Sequence, residues 1–510
     1  MNDMRDTAVQ GAPAAERPVR LRNVIGFGIG DIYGGGAFLI VGMLFMFFLT
    51  EVVGMKPALA GIMFGVGKIW DGISDPIMGF LSDHTKSKRG RRRVYFLWGI
   101  VPIALTFALL WVPIRSDSQA LLFAYYLLAY ILLDAALTMV MTPYSALPAE
   151  MSSDFRTRNR LSTSRLLFSG LSSLIAAVVP KMIIDAFPSD PGRGHLAMGI
   201  AFGLFFALPW VFVYLGTWEN EARRVEEEDV NIFRDFATIF RNRTFRVQFF
   251  MYVLAYTAMD VLMALFTYYL TYYLGRPKLY SVAMGSLMVV QIAMMPLYTM
   301  LANRKGKALA YRIGLAIWAL AMGCTALLRP DAPVASIVLV CAFMGMGTSA
   351  GVLIPYMILP YVIDVDELMT GRQRSGVYAG AMTLLRKIVQ GLIALPAIGF
   401  MLEAIGFVSN QAQAPATLSK FFAFFITVPA ALLLLGIAAS LWFRVTPRTH
   451  AVLEAELVRL RAGGSPAEVT PETKAVCELL SGHPYESCAL AGGALASGSQ
   501  AGGAPTRDGN

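Results

Sequence analysis

Residues 57–82 read PALAGIMFGVGKIWDGISDPIMGFLS, an apolar run broken by Lys68, Asp71 and Asp75. The run is long enough to cross a bilayer as a helix, which takes about 20 residues. A charge at mid-bilayer costs at least about 2.5–3.5 kcal/mol on insertion scales, so these three must face a cavity or one another. Their spacing of i, i+3 and i+7 puts them on one helix face. Two carboxylates a turn apart repel in a dry interior unless something cationic lies between them. Lys68, a metal ion or a proton would serve, and Ser74 adds a neutral oxygen. Hard oxygen ligands suit Na⁺, whereas carboxyls that hold a proton suit H⁺. The plain alternative is a structural salt bridge, which would not need the second acid.

Working outward, the same apolar texture fills most of the 510 residues. The chain is 56% hydrophobic and 15% charged, with mean hydropathy +0.57. Soluble domains carry about 25% charged residues, and a soluble chain this apolar would expose aggregating patches. A soluble enzyme is therefore excluded in favour of an all-α membrane protein. Apolar spans are expected at 23–50, 57–82, 94–113, 119–150, 161–185 and 196–216, then at 247–273, 280–301, 309–328, 334–363, 376–403 and 421–444. The plan is twelve transmembrane helices in two pseudo-repeated six-helix bundles, 23–216 and 247–444. A charged loop, 217–246, joins them. Residues 1–22 and most of 445–510 are expected to be disordered, with a short helix over Ala451–Arg461 and a dispensable role for the tail.

The net charge of +9 is not read as a nucleic-acid footprint, because the basic residues sit in short loops between spans. Loops that follow even-numbered spans hold Lys86, Lys88, Arg89, Arg91, Arg92 and Arg93, then Arg156, Arg158 and Arg160, Arg304, Lys305 and Lys307, and Arg372 and Arg374. The opposite loops hold isolated basic residues. The positive-inside rule then places both termini in the cytoplasm. The four cysteines are too few for a disulfide framework and are read as unpaired thiols.

Other charges interrupt the spans. Asp31 lies in a glycine-rich first span, where it faces a cavity or pairs with another residue. Asp134 and Arg165 are candidate partners, with substrate-facing and structural readings both open, and Asp260 is a further isolated acid. Arg386 and Lys387 adjoin in span eleven and point about 100° apart, so one of them faces the cavity. Tyr268, Tyr269, Tyr272 and Tyr273 are read as an interfacial belt rather than a sugar-stacking platform. No hydrolase, zinc-protease or phosphate-loop motif occurs, and no resident cofactor is expected.

At these residues the chain resembles the major facilitator superfamily, in its glycoside–pentoside–hexuronide:cation symporter branch. The likeness rests on Lys68-Ile-Trp-Asp-Gly-Ile-Ser-Asp-Pro-Ile-Met-Gly79 and on the loop from Gly79 to Arg93. Pro143-Tyr-Ser-Ala-Leu-Pro148 with Arg156-Thr-Arg-Asn-Arg160 adds to it, as does Asp364-Val-Asp-Glu-Leu-Met-Thr-Gly371 with Lys387. It covers about residues 20–445.

The resemblance implies cation binding by Asp71, Ser74, Asp75 and Thr138 near Lys387, with Na⁺ between Asp71 and Asp75 or H⁺ on them. It implies substrate contacts at Asp31 and Arg165, to which Asp134 and Asp260 are added as candidates. The family's sugar-binding acid of helix four falls on Met141, and its helix-ten tryptophan falls near Val352. The expected function is therefore Na⁺- or H⁺-coupled symport of a sugar, glycoside or uronide, by alternating access. The cell inner membrane is the expected location, and the protein is expected to be a monomer with a small-molecule substrate. A lysolipid or other amphiphile is the alternative substrate; a membrane sensor or membrane-bound enzyme belongs to other classes. Arg89, Arg91, Arg92 and Arg372, with Glu150, Asp154, Asp364, Asp366 and Glu367, are expected to form a cytoplasmic gate of ion pairs.

Overall fold

A computed structural model of the chain describes residues 17–219 and 238–490, apart from Ser153 and Gln373. Of the 1–22 segment expected to be disordered, residues 1–16 lie outside the described residues, as do most of the 217–246 loop and the tail beyond 490, while Leu21 and Arg22 already belong to the first helix. The first six membrane helices are α1 (Leu21–Phe45), α2 (Pro57–His84), α3 (Arg93–Leu110), α4 (Gln119–Met151), α5 (Phe155–Asp185) and α6 (Pro191–Gly216). The second six are α7 (Arg243–Tyr273), α8 (Tyr280–Lys305), α9 (Lys307–Leu327), α10 (Val334–Thr370), α11 (Ser375–Ala404) and α12 (Pro415–Ser440). Eleven are apolar enough to span a membrane on composition alone. The other is α2, whose Lys68, Asp71, Asp75 and Asp83 are the reason it is less apolar.

α2 shows how the pattern sets the fold. Ile62, Val66, Ile69, Ile73, Ile77 and Phe80 recur at helical spacing and are all exposed. That stripe faces lipid, and Lys68 and Asp71 are buried on the other side of the helix. Prolines inside α2, α3, α4, α5, α8, α10 and α12 remove backbone donors without ending the helices. Neighbouring helices can satisfy such gaps in a membrane bundle.

Small residues set the closest approaches. A Cβ at Gly28 of α1 would stand 2.1 Å from Ser164 Oγ of α5. This contact lets serine hydroxyls bond the α1 backbone: Ser164 donates to the Val24 carbonyl at 2.9 Å and Ser172 to that of Ile32 at 2.6 Å. Where α2 crosses α11, a Cβ at Gly391 would fall 2.1 Å from Lys68 Cγ. Gly391 lies in a single π-helical turn, Gln390–Ala394, which begins three residues after Lys387 and widens the helix at that point.

The two bundles meet at the end remote from the termini, called the far end. There Thr50 and Tyr268 share a hydrogen bond at 2.6 Å, Tyr272 donates to Glu51, and the Asn410 backbone N–H donates to Glu51 at 2.9 Å. Ser281 of α8 donates to the Val178 carbonyl of α5 at 2.9 Å. Among the described residues, the hydrogen bonds between the bundles lie at the level of Lys387 or beyond it toward this end.

The tail corrects the expectation of disorder over most of 445–510. It forms α13 (Pro447–Arg461) and α14 (Pro471–Ser481) and is described to Leu490. Thr446 and Thr470 cap the two helices, each followed by a proline at the first helical position. Leu453, Leu457 and Leu460 form a narrow buried stripe on α13. Arg461 grips Glu367 through Nε and Nη2 at 2.7 and 2.6 Å, His450 meets Asp364 at 2.8 Å, and Thr244 donates to the Leu480 carbonyl at 2.7 Å. His450 and Arg461 are spent on the end of the C-terminal bundle, while Arg448, Arg459 and Lys474 pair with acids of the tail itself.

Candidate cation and substrate site

Asp71 is fully buried, and two lysines reach it. Lys387 Nζ lies 3.0 and 2.8 Å from the two Asp71 oxygens and 3.0 Å from Asp75 Oδ2. Lys68 Nζ lies 3.4 Å from Asp71 Oδ2. The Asp75 side chain keeps 43% of its surface, and its other oxygen accepts from Thr138 Oγ1 at 3.0 Å. Ser74 Oγ donates to the Asp71 carbonyl at 3.3 Å and lies 3.5 Å from Thr138 Oγ1. The five residues read as a cation set thus converge from α2, α4 and α11. Lys387, 312 residues from Asp75, takes the position of the positive guest, and the nearer Lys68 holds one acid only. One acid is dry and doubly paired while the other is partly open, which is an arrangement that an incoming cation can enter by displacing one ammonium.

Beside this cluster lies a cavity of about 510 Å³ between the bundles. Lys68 and Tyr130 line it from the first bundle, and Tyr252, Tyr256, Asp260, Tyr356, Arg386 and Gln390 from the second. Asp31 of α1 accepts from Arg165 Nε of α5 at 3.0 Å, one turn from the cavity-lining Gly34 and Ser169. Asp260 accepts from Arg386 Nη2 at 3.3 Å and from Gln390 Nε2 at 2.9 Å. The adjacent Arg386 and Lys387 both reach the cavity, which corrects the expectation that only one would. They point different ways but converge because the bundle interface wraps around α11.

Asp134 departs from its expected place. It is 4% exposed and borders a separate void of about 20 Å³ with Tyr33, partitioned from the main cavity by Phe38, Val41 and Tyr130. Two turns along α4 from Met141 carry it behind that partition. The tyrosine cluster at the end of α7 is also corrected: Tyr268 and Tyr269 are buried, Tyr268 and Tyr272 tie the bundles together, and Tyr273 stacks on Phe422. Sequence reading missed Tyr252, Tyr256, Tyr356 and Gln390. Tyr252 and Tyr256, four residues apart on α7, look like any core stripe, and Tyr356 of α10 and Gln390 of α11 carry no local signal.

Among the described residues, the ion pairs of the gate candidates lie within one bundle or with the tail. Arg91 and Arg92 both reach Glu150 at 2.7 Å, and Arg92 also reaches Asp83, all within the first bundle. Asp364 pairs with His450 of the tail, Asp366 with Arg374, and Asp154 caps α5. Arg89 and Arg372 are exposed. Arg91, Arg92 and Arg374 are thus taken up by acids of their own bundle.

A profile of the MFS/sugar transport protein family matches residues 26–447. The chain is 26% identical to an uncharacterized symporter of Synechocystis, over 85% of this chain and 96% of that one. It is 24% identical to the glucuronide carrier protein homolog of Escherichia coli, over 83% and 92%. A solved nucleoside transporter superposes with a TM-score of 0.61 at 13% identity, covering 83% of this chain and all of that one, a likeness of fold. This multi-pass chain belongs to the major facilitator superfamily, in its family of glycoside–pentoside–hexuronide:cation symporters.

Proposed function

We propose that the chain couples a Na⁺ or H⁺ gradient to uptake of a sugar, glycoside or uronide across the cell inner membrane, with both termini cytoplasmic. The observation that carries this reading is the bridge from Lys387 to Asp71 and Asp75. Among the described residues, its contacts are the ion pairs that cross between the bundles. A cation arriving at the two acids competes with that ammonium and so changes what holds the bundles together. Bound cation then alters affinity for a solute in the adjoining cavity, and by linkage the solute alters affinity for the cation equally. The basic loops support a cytoplasmic near end, in which case closure at the far end makes this the inward-facing state. The polar lining of Asp260, Arg386, Gln390 and tyrosines favours a hydroxyl-rich solute over a lysolipid, whose acyl chain would leave those groups unmatched.

The test is Asp71→Asn and Asp75→Asn in membrane vesicles. Gradient-driven accumulation should fall to the level of vesicles without the protein, while the purified variants keep their gel-filtration profile. Full accumulation by both variants would remove the two acids from the coupling site.

A further inference from the structure

The closure at the far end is built on an acid that the coupling site does not use. Glu51 lies beyond the end of α1, in a single π-helical turn, Phe48–Val52, and is buried. Among the described residues its carboxyl bonds neutral donors, with no lysine, arginine or histidine on it. Burying an ionised carboxylate without a cation is costly, and a bound proton removes that cost. The two oxygens are unequal. Both bonds from the second bundle, from Tyr272 Oη and from the Asn410 backbone N–H at 2.9 Å, fall on Oε2. Oε1 has Thr50 Oγ1 at 3.4 Å. Thr50 Oγ1 lies 2.6 Å from Tyr268 Oη, which donates to the Met46 carbonyl at 3.2 Å. A proton on Oε1 therefore leaves both cross-bundle bonds in place and gives the chain one direction: Glu51 donates to Thr50, Thr50 to Tyr268, and Tyr268 to Met46. Asn410 sits at φ 57°, in the left-handed region that asparagine tolerates, and its side chain donates to the Glu51 carbonyl as well.

We infer that Glu51 is a proton-binding latch: it takes a proton from the far-side solution on closure, holds it on Oε1 and returns it to the same side on opening, so that external acid keeps the carrier inward-facing. The inference rests on the alternating-access reading and is independent of the solute. Access is at hand, because Glu51, Tyr272 and Asn410 line a second cavity of about 500 Å³ whose wall includes the exposed Pro188. The titratable groups of α7 in the chain are Tyr268 and Tyr272. Across the cavity stand His195 of α6, with Nδ1 on the Pro191 carbonyl, and Lys181, paired with Asp185. Asp190 lies beside Arg193, and Arg115 and Lys278 are on loops. The first turns of α2 and the 405–414 loop hold no titratable group. Burial pushes the Glu51 carboxyl above its ordinary value of 4.5, against the bonds from Tyr272 and Asn410, which favour the ionised form. When the bundles part, water reaches the group and the ordinary value returns. Protonation thus favours closure: its contribution is full below 4.5 and is lost as pH rises through the raised value.

The experiment puts spin labels on Ser189→Cys and Leu327→Cys, exposed far-end positions of the first and second bundles, with the partly exposed Cys324 replaced by Ser. Pulsed EPR on the full chain in lipid nanodiscs reads the open and closed far-end populations between about pH 4.5 and about pH 8, at fixed Na⁺ and without solute. The open-to-closed ratio should rise with pH, by at most about tenfold per unit, the limit for one proton. Glu51→Gln should hold the low-pH ratio throughout. Tyr272→Phe removes a donor that favours the ionised form and should move the rise to higher pH, which loss of a merely structural bond would not do. A wild-type ratio that is flat or falls with pH overturns the latch, and so does an unchanged rise in Glu51→Gln. If added Na⁺ opens the far end and pH does not, alternating access stands without the latch. A far end that stays closed under every condition refutes both.

Discussion

Lys387 carries the most at the scale of single residues. Its ammonium touches both acids of α2, and those contacts tie one bundle to the other. Removing one member of a buried charge pair normally costs 3–5 kcal/mol, roughly, because the partner is left uncompensated. Here Lys68 stays on Asp71 and Asp75 is partly open, so the loss is much smaller. The charge competition is what changes. With the ammonium gone, the acids attract an external cation more strongly, since a like charge about 3 Å away no longer opposes it. Lys387→Gln should therefore tighten Na⁺ binding by at least about tenfold and abolish uphill accumulation. Calorimetry and vesicle uptake read the two effects, and weaker Na⁺ binding in the variant would contradict the competition. Asp71 and Asp75 were legible because two acids a turn apart are improbable in lipid, whereas Thr138 and Lys387 were assigned through the family resemblance. Asp260 was legible as an odd acid, but its partner Arg386 was not assignable: 126 residues separate them, and nothing local pairs them.

Among the elements, two helix pairs set the site. The α1–α5 stripe of glycine and serine brings Asp31 to Arg165, and the α2–α11 crossing at Gly391 admits Lys68 beside Asp71. The tail is an element of another kind. α13 and α14 touch the second bundle, where Leu453, Leu457 and Leu480 are buried and Ala489 N–H donates to the Met369 carbonyl at 3.0 Å. Each such leucine contributes about 1.5–3 kcal/mol as an upper figure. A chain ending at residue 445 should unfold several degrees earlier, and the accumulation of solute per correctly folded molecule should be unchanged. Differential scanning fluorimetry and vesicle uptake check this; a changed coupling ratio would give the tail a part in transport. The short helix expected over Ala451–Arg461 forms, but its docking was hidden because α13 presents charged residues on most of its circumference, and only a narrow leucine stripe marks the buried side.

The whole molecule is held in one state by its far end. Thr50 with Tyr268 and Glu51 with Tyr272 and Asn410 join the bundles there. A neutral hydrogen bond contributes about 0.5–1.5 kcal/mol net, so losing one shifts a two-state balance about two- to tenfold. Thr50→Val with Tyr268→Phe keeps shape and removes the hydroxyl pair. The variant should open more often at the far end, and a cysteine placed at the cavity-lining Met259 should then react faster with an impermeant reagent added from that side. Unchanged labelling would show that the closure does not depend on this pair.

By itself the sequence determined the membrane class, the two sets of six spans and the acids of α2, because lipid makes each buried charge costly and therefore visible as an exception. Which lysine bridges those acids, which arginine faces Asp260, that Asp134 is walled off behind Tyr130, and that the tail folds back were decided by tertiary structure alone. Those outcomes depend on helix crossings and on distances of a few ångströms between residues far apart in the chain, where periodicity and composition carry no information.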